Sequence, residues 1–373
     1  MSEAEISFGR RGAAGLITLN RPKALNAVTH AMVLALRGQL DRWADDPAIT
    51  RVVITAAGDR AFSAGGDIRA LYDLGKVGRH DEALQFWRDE YPLNAAIKNY
   101  RKPYVALIDG IAMGGGVGVS VHGSHRVAGD RFSFAMPEVG IGFFPDVGAT
   151  WFLPRMPGEL GTYCALTGER FGIADALAGG IATHRVSSGR FDDLLDGLTG
   201  NVPVDAVLAA FAEPVGEGPI TQHRAAIDRF FAGDTVENII AALDDQALNR
   251  SPDAKWAART AATMRAKSPL SLKLALAQVR RGKDWDFETC MRMEFRIVSH
   301  VIHGHDFYEG VRAVIVDKDG KPRWRPATLP EVGEADVERH FAPLGTSEFT
   351  VTATDTSGSQ TAKLSLTVVA SGP

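Results

Sequence analysis

The chain has 373 residues, with 41 Lys and Arg against 45 Asp and Glu, and a formal net charge of −4. It is 45% hydrophobic and 23% charged and has only 2 cysteines, which excludes a disordered, collagen-like or disulfide-stapled chain. The near-neutral balance predicts binding neither to nucleic acid nor to an anionic membrane surface. No apolar run approaches the roughly 20 residues of a membrane-spanning helix.

The N-terminal segment lacks a basic stretch followed by an apolar one, so the sequence predicts neither a signal peptide nor a transit peptide. Cys164 and Cys290 stand in apolar, helix-like surroundings. We expect them to be buried free thiols in a reducing compartment. Both observations predict a cytoplasmic location.

Strand and helix patterns alternate through the first half of the chain. Short apolar runs at 15–19, 51–55 and 104–108 predict strands, each followed by a turn and a helix-compatible segment. Between the first two strands, Val33, Leu36, Leu40 and Trp43 recur at helical spacing, and Thr29 is a candidate N-cap. Strand–helix units in series predict an α/β core, which we assign to residues 1–195.

Helical periodicity dominates from residue 196 onwards. We predict helices at 204–211, 220–231, 236–248 and 253–267, and a helix start at Ser268-Pro269. A further helix is indicated by one apolar face, made of Phe287, Met291, Phe295 and Val298. The sequence therefore predicts an α-helical region at 196–345 that packs on the α/β core.

The last 28 residues, 346–373, differ from the rest of the chain. They are rich in Ser and Thr, and two stretches of period-2 alternation flank a turn-forming segment. This pattern predicts a β-hairpin tail. We expect the tail to be a non-native appendage without a catalytic role.

Two glycine-rich segments, 61–68 and 109–118, each directly follow a predicted strand. Small residues at such a turn let the backbone approach a ligand, and the first amides of the following helix attract negative charge. A nucleotide site is disfavoured, because no Lys-Ser/Thr pair follows Gly118 and the spacing does not give G-x-G-x-x-G. Either run alone fits close helix–strand packing equally well, but the two together favour an oxyanion hole.

Glu138 and Asp146 lie eight residues apart among Phe, Ile, Met and Pro. Carboxyl groups in apolar surroundings have raised pKa values and serve as acids or bases. The alternative is a pair of surface carboxylates on a loop. The apolar flanks favour the catalytic interpretation.

Other polar residues suggest a metal site or a nucleophilic serine. A metal interpretation rests on His300, His303, His305 and Asp306, and a nucleophile interpretation pairs Ser120 with His122 or Ser124 with His125. The G-x-S-x-G elbow that such a serine needs is absent. We predict no bound metal.

Several strings resemble the crotonase (enoyl-CoA hydratase/isomerase) superfamily: Ala64–Asp67, Met113–Gly116 and Asn20–Ala27. The strings at 134–138, 141–148 and 306–313 are similar to the 3-hydroxyisobutyryl-CoA hydrolase family within it. The resemblance extends over about residues 5–345. It implies a crotonase-like spiral of strand–helix units, followed by the helical C-terminal region.

The resemblance also implies roles for individual residues. The amides of Ala64 and Gly115 match the family's oxyanion hole, and Glu138 and Asp146 match the catalytic acidic residues. The remaining matches are substrate contacts at Glu90, Gly65, Gly66, Asp67, Gly114 and Gly116, and CoA contacts at Lys23, Ala24 and Leu25. For Lys23, an exposed loop lysine remains an equal alternative. No cofactor or metal is implied, because CoA is part of the substrate, and a homo-oligomer is compatible with the family.

Position 118 separates the branches of the superfamily. The hydratases carry a second glutamate there, and this chain has Gly118. The resemblance therefore implies an acyl-CoA thioester hydrolase acting in valine breakdown, with Glu138 either as nucleophile or as base. An enoyl-CoA hydratase or isomerase that uses Glu138 alone and a non-catalytic acyl-CoA-binding protein remain the alternatives.

Overall fold

The computed structural model describes residues 4–249 and 251–349, which form two compact units. Unit 1 draws its described residues from Met1–Asp67, Leu93–Ala135 and Arg170–Gln222, and unit 2 from Ile68–Pro92, Met136–Glu169 and His223–Pro373. Each unit is thus assembled from segments that are distant in sequence. The domain boundaries expected at 195/196 and 345/346 remain a sequence prediction.

The strands of the described residues all belong to unit 1. In chain order they are β1 Ile6–Arg11, β2 Ala14–Leu19, β3 Arg51–Ala56, β4 Ala61–Ser63, β5 Tyr104–Ile108, β6 Ile111–Met113, β7 His125–Ala128, β8 Ser133–Ala135 and β9 His184–Arg185. One sheet has the order β1-β2-β3-β5-β7-β9 and the other β4-β6-β8. Every pair is parallel except the β1–β2 hairpin, as expected for strands linked by helical crossovers.

The three predicted strands are confirmed as β2, β3 and β5, which are neighbours in the larger sheet. Their apolar runs are explained by burial: Val53, Ile54 and Val105 are each 0% exposed. A parallel strand covered on both faces reads as a continuous apolar run.

The helices, in chain order, are α1 His30–Asp45, α2 Ile68–Lys76, α3 His80–Lys98, α4 Gly115–Gly118, α5 Ala149–Phe152, α6 Leu160–Thr167, α7 Ile173–Ala178, α8 Phe191–Thr199, α9 Val204–Phe211, α10 Arg224–Phe230, α11 Val236–Leu248, α12 Ala254–Arg265, α13 Pro269–Gly282, α14 Phe287–Val301, α15 His305–Val311 and α16 Glu334–Phe341. The predicted helical region is confirmed, with α9 and α11 at the expected bounds. No helix of the described residues has the length and apolar character to cross a membrane.

Side-chain caps start the long helices where the sequence predicts. The Thr29 hydroxyl accepts the Met32 amide at the start of α1, and the Ser268 hydroxyl accepts the Ser271 amide at the start of α13. The predicted apolar faces of α1 and α14 are both buried. Cys164 and Cys290 are free and buried, as predicted.

The described part of the predicted tail, residues 346–349, contacts unit 2. Glu348 forms an ion pair with Arg296 at 2.9 Å. Phe349 is 2% exposed, and its ring stacks on Phe295 with 4.6 Å between centroids. Residues 346–349 are therefore integrated into unit 2, and the rest of the predicted hairpin lies outside the described residues.

Candidate active site

The two glycine-rich segments lie side by side in unit 1. The parallel strands β4 and β6 bring them together, and Gly65 and Gly114 have positive φ values of 122° and 45°. A Cβ atom on Gly116 would lie 2.4 Å from the Ser63 carbonyl oxygen, and one on Gly65 would lie 3.9 Å from the Gly115 nitrogen. Gly116 is therefore required by the close approach to Ser63, and Gly65 and Gly114 are favoured as glycine by their positive φ values.

The amides of Gly66 and Gly115 donate to no protein atom among the described residues. Gly115 is the first residue of α4, where amides have no partner within the helix. The amide of Ala64 differs, because it donates to the Leu25 carbonyl at 2.9 Å. The sequence-based assignment of Ala64 as an oxyanion donor is therefore corrected: its N–H is already engaged, and the unpartnered amide of that segment is that of Gly66.

The predicted CoA segment is a short 3₁₀ helix, Pro22–Ala24, followed by two left-handed residues, Leu25 and Asn26. The Asn26 side-chain amide donates to the carbonyls of Ala57 and Ala61, both at 2.9 Å. These hydrogen bonds fix the CoA segment against β4 and the loop that precedes it. Lys23 and Ala24 are exposed, so their role in binding CoA remains a prediction.

Asp67 ends the first glycine-rich segment. Its carboxylate pairs with Arg21 at 3.1 Å, and Arg21 also donates to the Ala27 carbonyl at 2.7 Å. One contact of the Asp67 side chain is thus with the CoA-segment loop. Its predicted substrate contact remains a prediction.

The structure brings three of the four sequence-predicted acidic residues together in unit 2. Glu90 lies on α3, Glu138 begins a 3₁₀ turn, and Asp146 precedes α5, and they are 2%, 6% and 5% exposed. Burial, and next the charge of Asp146, raises the pKa of Glu138 and of Glu90 well above the usual range. Neither Glu138 Oε2 nor Glu90 Oε1 has a hydrogen-bond partner among the residues that the structure describes. Buried acceptors without partners are costly, so these atoms are candidates for contact with substrate or water.

Asp146, unlike the unpartnered oxygens of Glu90 and Glu138, accepts side-chain hydrogen bonds. Burial raises its pKa to about 7, and hydrogen bonds from Tyr91 and Trp87 oppose this rise. The Tyr91 hydroxyl lies 3.1 Å from Asp146 Oδ2. A carboxyl group that titrates near neutral pH is suited to exchanging protons in catalysis.

Sequence reasoning missed Trp87, Tyr91 and Glu294. Glu294 is 0% exposed, and its two oxygens accept the amides of Gly148 and Thr150, each at 2.8 Å. A signal was present, because Glu294 is an acidic residue directly before Phe295 on the apolar face of α14. Trp87 and Tyr91 flank Glu90 on α3, one turn apart.

Comparison with known proteins decides the family, since the enoyl-CoA hydratase/isomerase family model matches residues 14–341. The chain belongs to the enoyl-CoA hydratase/isomerase family. Among relatives in this family, the mitochondrial 3-hydroxyisobutyryl-CoA hydrolase of Danio rerio is 44% identical over 351 residues, covering 91% of this chain and 90% of that protein. That of Gallus gallus is 42% identical over 357 residues, covering 93% and 91%.

A solved structure of the same fold is that of a carnitinyl-CoA dehydratase from Mycobacterium thermoresistibile. It is 44% identical, has a TM-score of 0.87, and is matched over 93% of this chain and 98% of its own. The predicted fold class, an α/β crotonase-like core with a helical C-terminal region, is therefore confirmed.

The predicted cytoplasmic location is contradicted by this comparison. The Danio rerio and Gallus gallus relatives are mitochondrial proteins. The prediction was wrong because it relied on the absence of a targeting pattern, and such an absence does not specify a compartment.

Two of the histidines that suggested other chemistry, His125 and His305, have local hydrogen-bond partners, whereas His300 Nε2 has none among the described residues. His125 bonds Ser124 and Asp205, both at 2.8 Å, while Ser124 also accepts the Tyr104 amide at 3.0 Å. His305 contacts Asp306 at 3.0 Å. Within residues 4–249 and 251–349, no three His, Cys, Asp or Glu side chains are arranged to hold a metal ion.

Proposed function

We propose that this protein hydrolyses 3-hydroxyisobutyryl-CoA and related short 3-hydroxyacyl-CoA thioesters to the free hydroxy acid and CoA, as a step of valine breakdown. The observation that carries the proposal is the pair of buried carboxyl groups, Glu138 and Asp146, combined with a glycine at position 118. Relatives that bear the hydrolase name align over about nine-tenths of their own length, which supports the same activity.

In this proposal the thioester oxygen is bound by the amides of Gly66 and Gly115. One oxyanion-hole donor contributes about 3–4 kcal/mol to the stability of the transition state. These amides are suited to the role because no protein acceptor occupies them within the described chain. The negative charge that develops on the carbonyl oxygen replaces the missing acceptor.

Glu138 attacks the carbonyl carbon or activates the water that does so. Its raised pKa makes the ionised form a stronger base than an exposed glutamate. Attack by the carboxylate would give an anhydride and release the CoA thiolate, and water would then cleave the anhydride to the hydroxy acid and restore Glu138. Activation of water would give the hydroxy acid and the CoA thiolate directly. Asp146 binds the 3-hydroxyl of the substrate or places the water.

Hydration of an enoyl-CoA is the alternative, and the dehydratase name of the M. thermoresistibile structure favours testing it. Gly118 lies in the buried first turn of α4 and supplies no carboxylate. Hydration uses two carboxylates, and the loss of one is expected to cost about 10²–10⁴-fold in rate.

The test measures thiol release from 3-hydroxyisobutyryl-CoA and other acyl-CoAs beside hydration of crotonyl-CoA. Glu138→Gln and Asp146→Asn should each lower thiol release about 10²–10⁴-fold, while Glu288→Gln on the same unit should not. Faster hydration than thiol release in the parent would instead establish a hydratase. A Glu138→Gln protein with the parent's rate of thiol release would remove Glu138 from the mechanism, and a parent that releases no thiol would favour a non-catalytic acyl-CoA binder.

We also propose that catalysis needs no metal or cofactor. Thiol release should persist after dialysis against a chelator, and lost activity that returns with a divalent metal would refute this. The possible homo-oligomer is tested by light scattering during gel filtration.

A further inference from the structure

Glu294 makes a two-point contact with the segment that carries Asp146. It lies on α14, and its Oε2 accepts the amide of Gly148 while its Oε1 accepts the amide of Thr150, both at 2.8 Å. The side chain has no exposed surface. Each oxygen therefore satisfies one buried amide at the start of α5, and the described residues provide these two amides with no other acceptor.

The segment it contacts is strained. Val147 has φ +53°, a left-handed conformation that is costly for a β-branched residue, on the order of 1–3 kcal/mol, and Gly148 follows at φ +89°. Such a conformation persists only where the surroundings hold it. Here Glu294 binds from α14 and Gln278 donates to the Pro145 carbonyl from α13.

The ionisation of Glu294 depends on the neighbouring Asp146. Burial and the charge of Asp146 raise the pKa of Glu294 to about 8, opposed by the two amide bonds. The other titratable groups that interact with it are Glu90 and Tyr91 of α3 and Cys290 of α14. Glu294 thus interacts electrostatically with Asp146 and also binds the backbone of the segment that follows Asp146.

We propose that Glu294 is a positioning residue, which holds the amides of Gly148 and Thr150 so that the Asp146 carboxylate points at the substrate. The inference rests on the proposed function, in which Asp146 contacts the substrate or its water. It goes beyond a stabilising role, because it predicts that Glu294 acts on catalysis only through Asp146.

A double-mutant cycle tests this. Glu294→Gln keeps the shape of the side chain but turns an NH₂ group towards one of the two amides, so kcat/KM should fall at least tenfold. In the Asp146→Asn background the same change should cost less than twofold, because the group that Glu294 positions is already lost. Equal losses in both backgrounds would overturn the proposal, and so would an unchanged kcat/KM for Glu294→Gln alone.

Two further variants complete the design. Glu294→Asp retains a carboxyl group with two acceptor oxygens and should reach at least one amide, so it should recover part of the lost activity. Glu288→Gln, on the same helix, should match the parent. Failure of Glu294→Asp to exceed Glu294→Gln, at equal thermal stability, would contradict the proposal.

Hydrogen exchange separates failure of this inference from failure of the proposed function. If the parent releases no thiol, the proposed function fails, and the exchange of the Gly148 and Thr150 amides still reports on Glu294. Exchange at these two amides should rise at least tenfold in Glu294→Gln and stay unchanged in Glu288→Gln. Unchanged exchange in Glu294→Gln would overturn the inference whatever the activity.

Discussion

The Tyr91 hydroxyl donates a hydrogen bond of 3.1 Å to the carboxylate of Asp146. Tyr91 is 0% exposed, and burial together with the surrounding carboxylates raises its pKa well above the usual range. The hydroxyl therefore keeps its proton at neutral pH. It favours the ionised form of Asp146 and so opposes the effect of burial.

Tyr91→Phe removes this donor and should raise the pKa of Asp146. A hydrogen bond to a charged group is worth about 1.5–3 kcal/mol, which corresponds to a rise of at least about one pH unit. If ionised Asp146 is the active form, the acid limb of kcat/KM should move to higher pH by that amount. Thiol release measured across the pH range checks this.

The control for Tyr91→Phe is Tyr72→Phe on α2, because Tyr72 packs against Tyr308 rather than against the carboxyl cluster. Its pH profile should equal that of the parent. An unshifted acid limb in Tyr91→Phe would remove the hydroxyl from the control of Asp146.

The buried carboxyl groups should make the protein less stable at alkaline pH. The folded-state pKa values of Asp146 and Glu294 are raised from 3.8 and 4.5 to about 7 and about 8. A group whose pKa is raised in the folded state contributes its full stabilisation of the fold at pH values below its unfolded-state pKa. This contribution is lost as the pH rises through the folded-state pKa. The urea concentration at the unfolding midpoint should therefore decrease as the pH rises from about 4.5 to about 8.

Glu138→Gln provides the comparison, since the pKa of Glu138 is raised in the same direction. The variant cannot ionise, so it should lose less stability over this pH range than the parent. Glu288→Gln should follow the parent curve. A parent midpoint that rises from pH 4.5 to pH 8 would contradict the assignment of these pKa shifts.

Gly116→Ala should disrupt the contact between the two glycine-rich segments. The new Cβ would lie 2.4 Å from the Ser63 carbonyl oxygen and 2.7 Å from the Ser63 Cβ. Relief of such overlap costs about 1–3 kcal/mol and displaces the neighbouring amides, so kcat should fall at least tenfold. Kinetics and thermal unfolding measure the two effects.

Gly216→Ala is the matched substitution in unit 1, because a Cβ atom there meets nothing within 4 Å. It should leave kcat and stability unchanged. Full activity in Gly116→Ala would show that the close approach of these backbones is not needed for catalysis.

Phe349→Ala should destabilise unit 2. Its ring stacks on Phe295 and lies edge-on to Tyr91 at 6.3 Å. Loss of a buried Phe side chain costs about 3–5 kcal/mol, whereas Leu34→Ala at a half-exposed position should cost under about 0.5 kcal/mol. Chemical denaturation compares the two, and equal midpoints would assign Phe349 no structural role.

The sequence located much of the candidate site, because local chemistry marks it. Glycines after strands and acidic residues in apolar segments are visible without coordinates, and they favoured an oxyanion hole and the pair Glu138 and Asp146. The family resemblance implied Gly115 in particular. The choice between Ala64 and Gly66 was not visible. It depends on which amide of the segment donates to Leu25, and that residue lies 39 positions earlier in the chain.

The amino-acid sequence alone determined the α/β core, the helical C-terminal region and the family resemblance, because periodicity, caps and glycine runs act over a few neighbouring residues. Tertiary structure decided the rest. It brought Glu294 of α14 to the amides of Gly148 and Thr150 and Tyr91 of α3 to Asp146. Burial and charge at such contacts depend on residues more than fifty positions apart, so no local pattern encodes them.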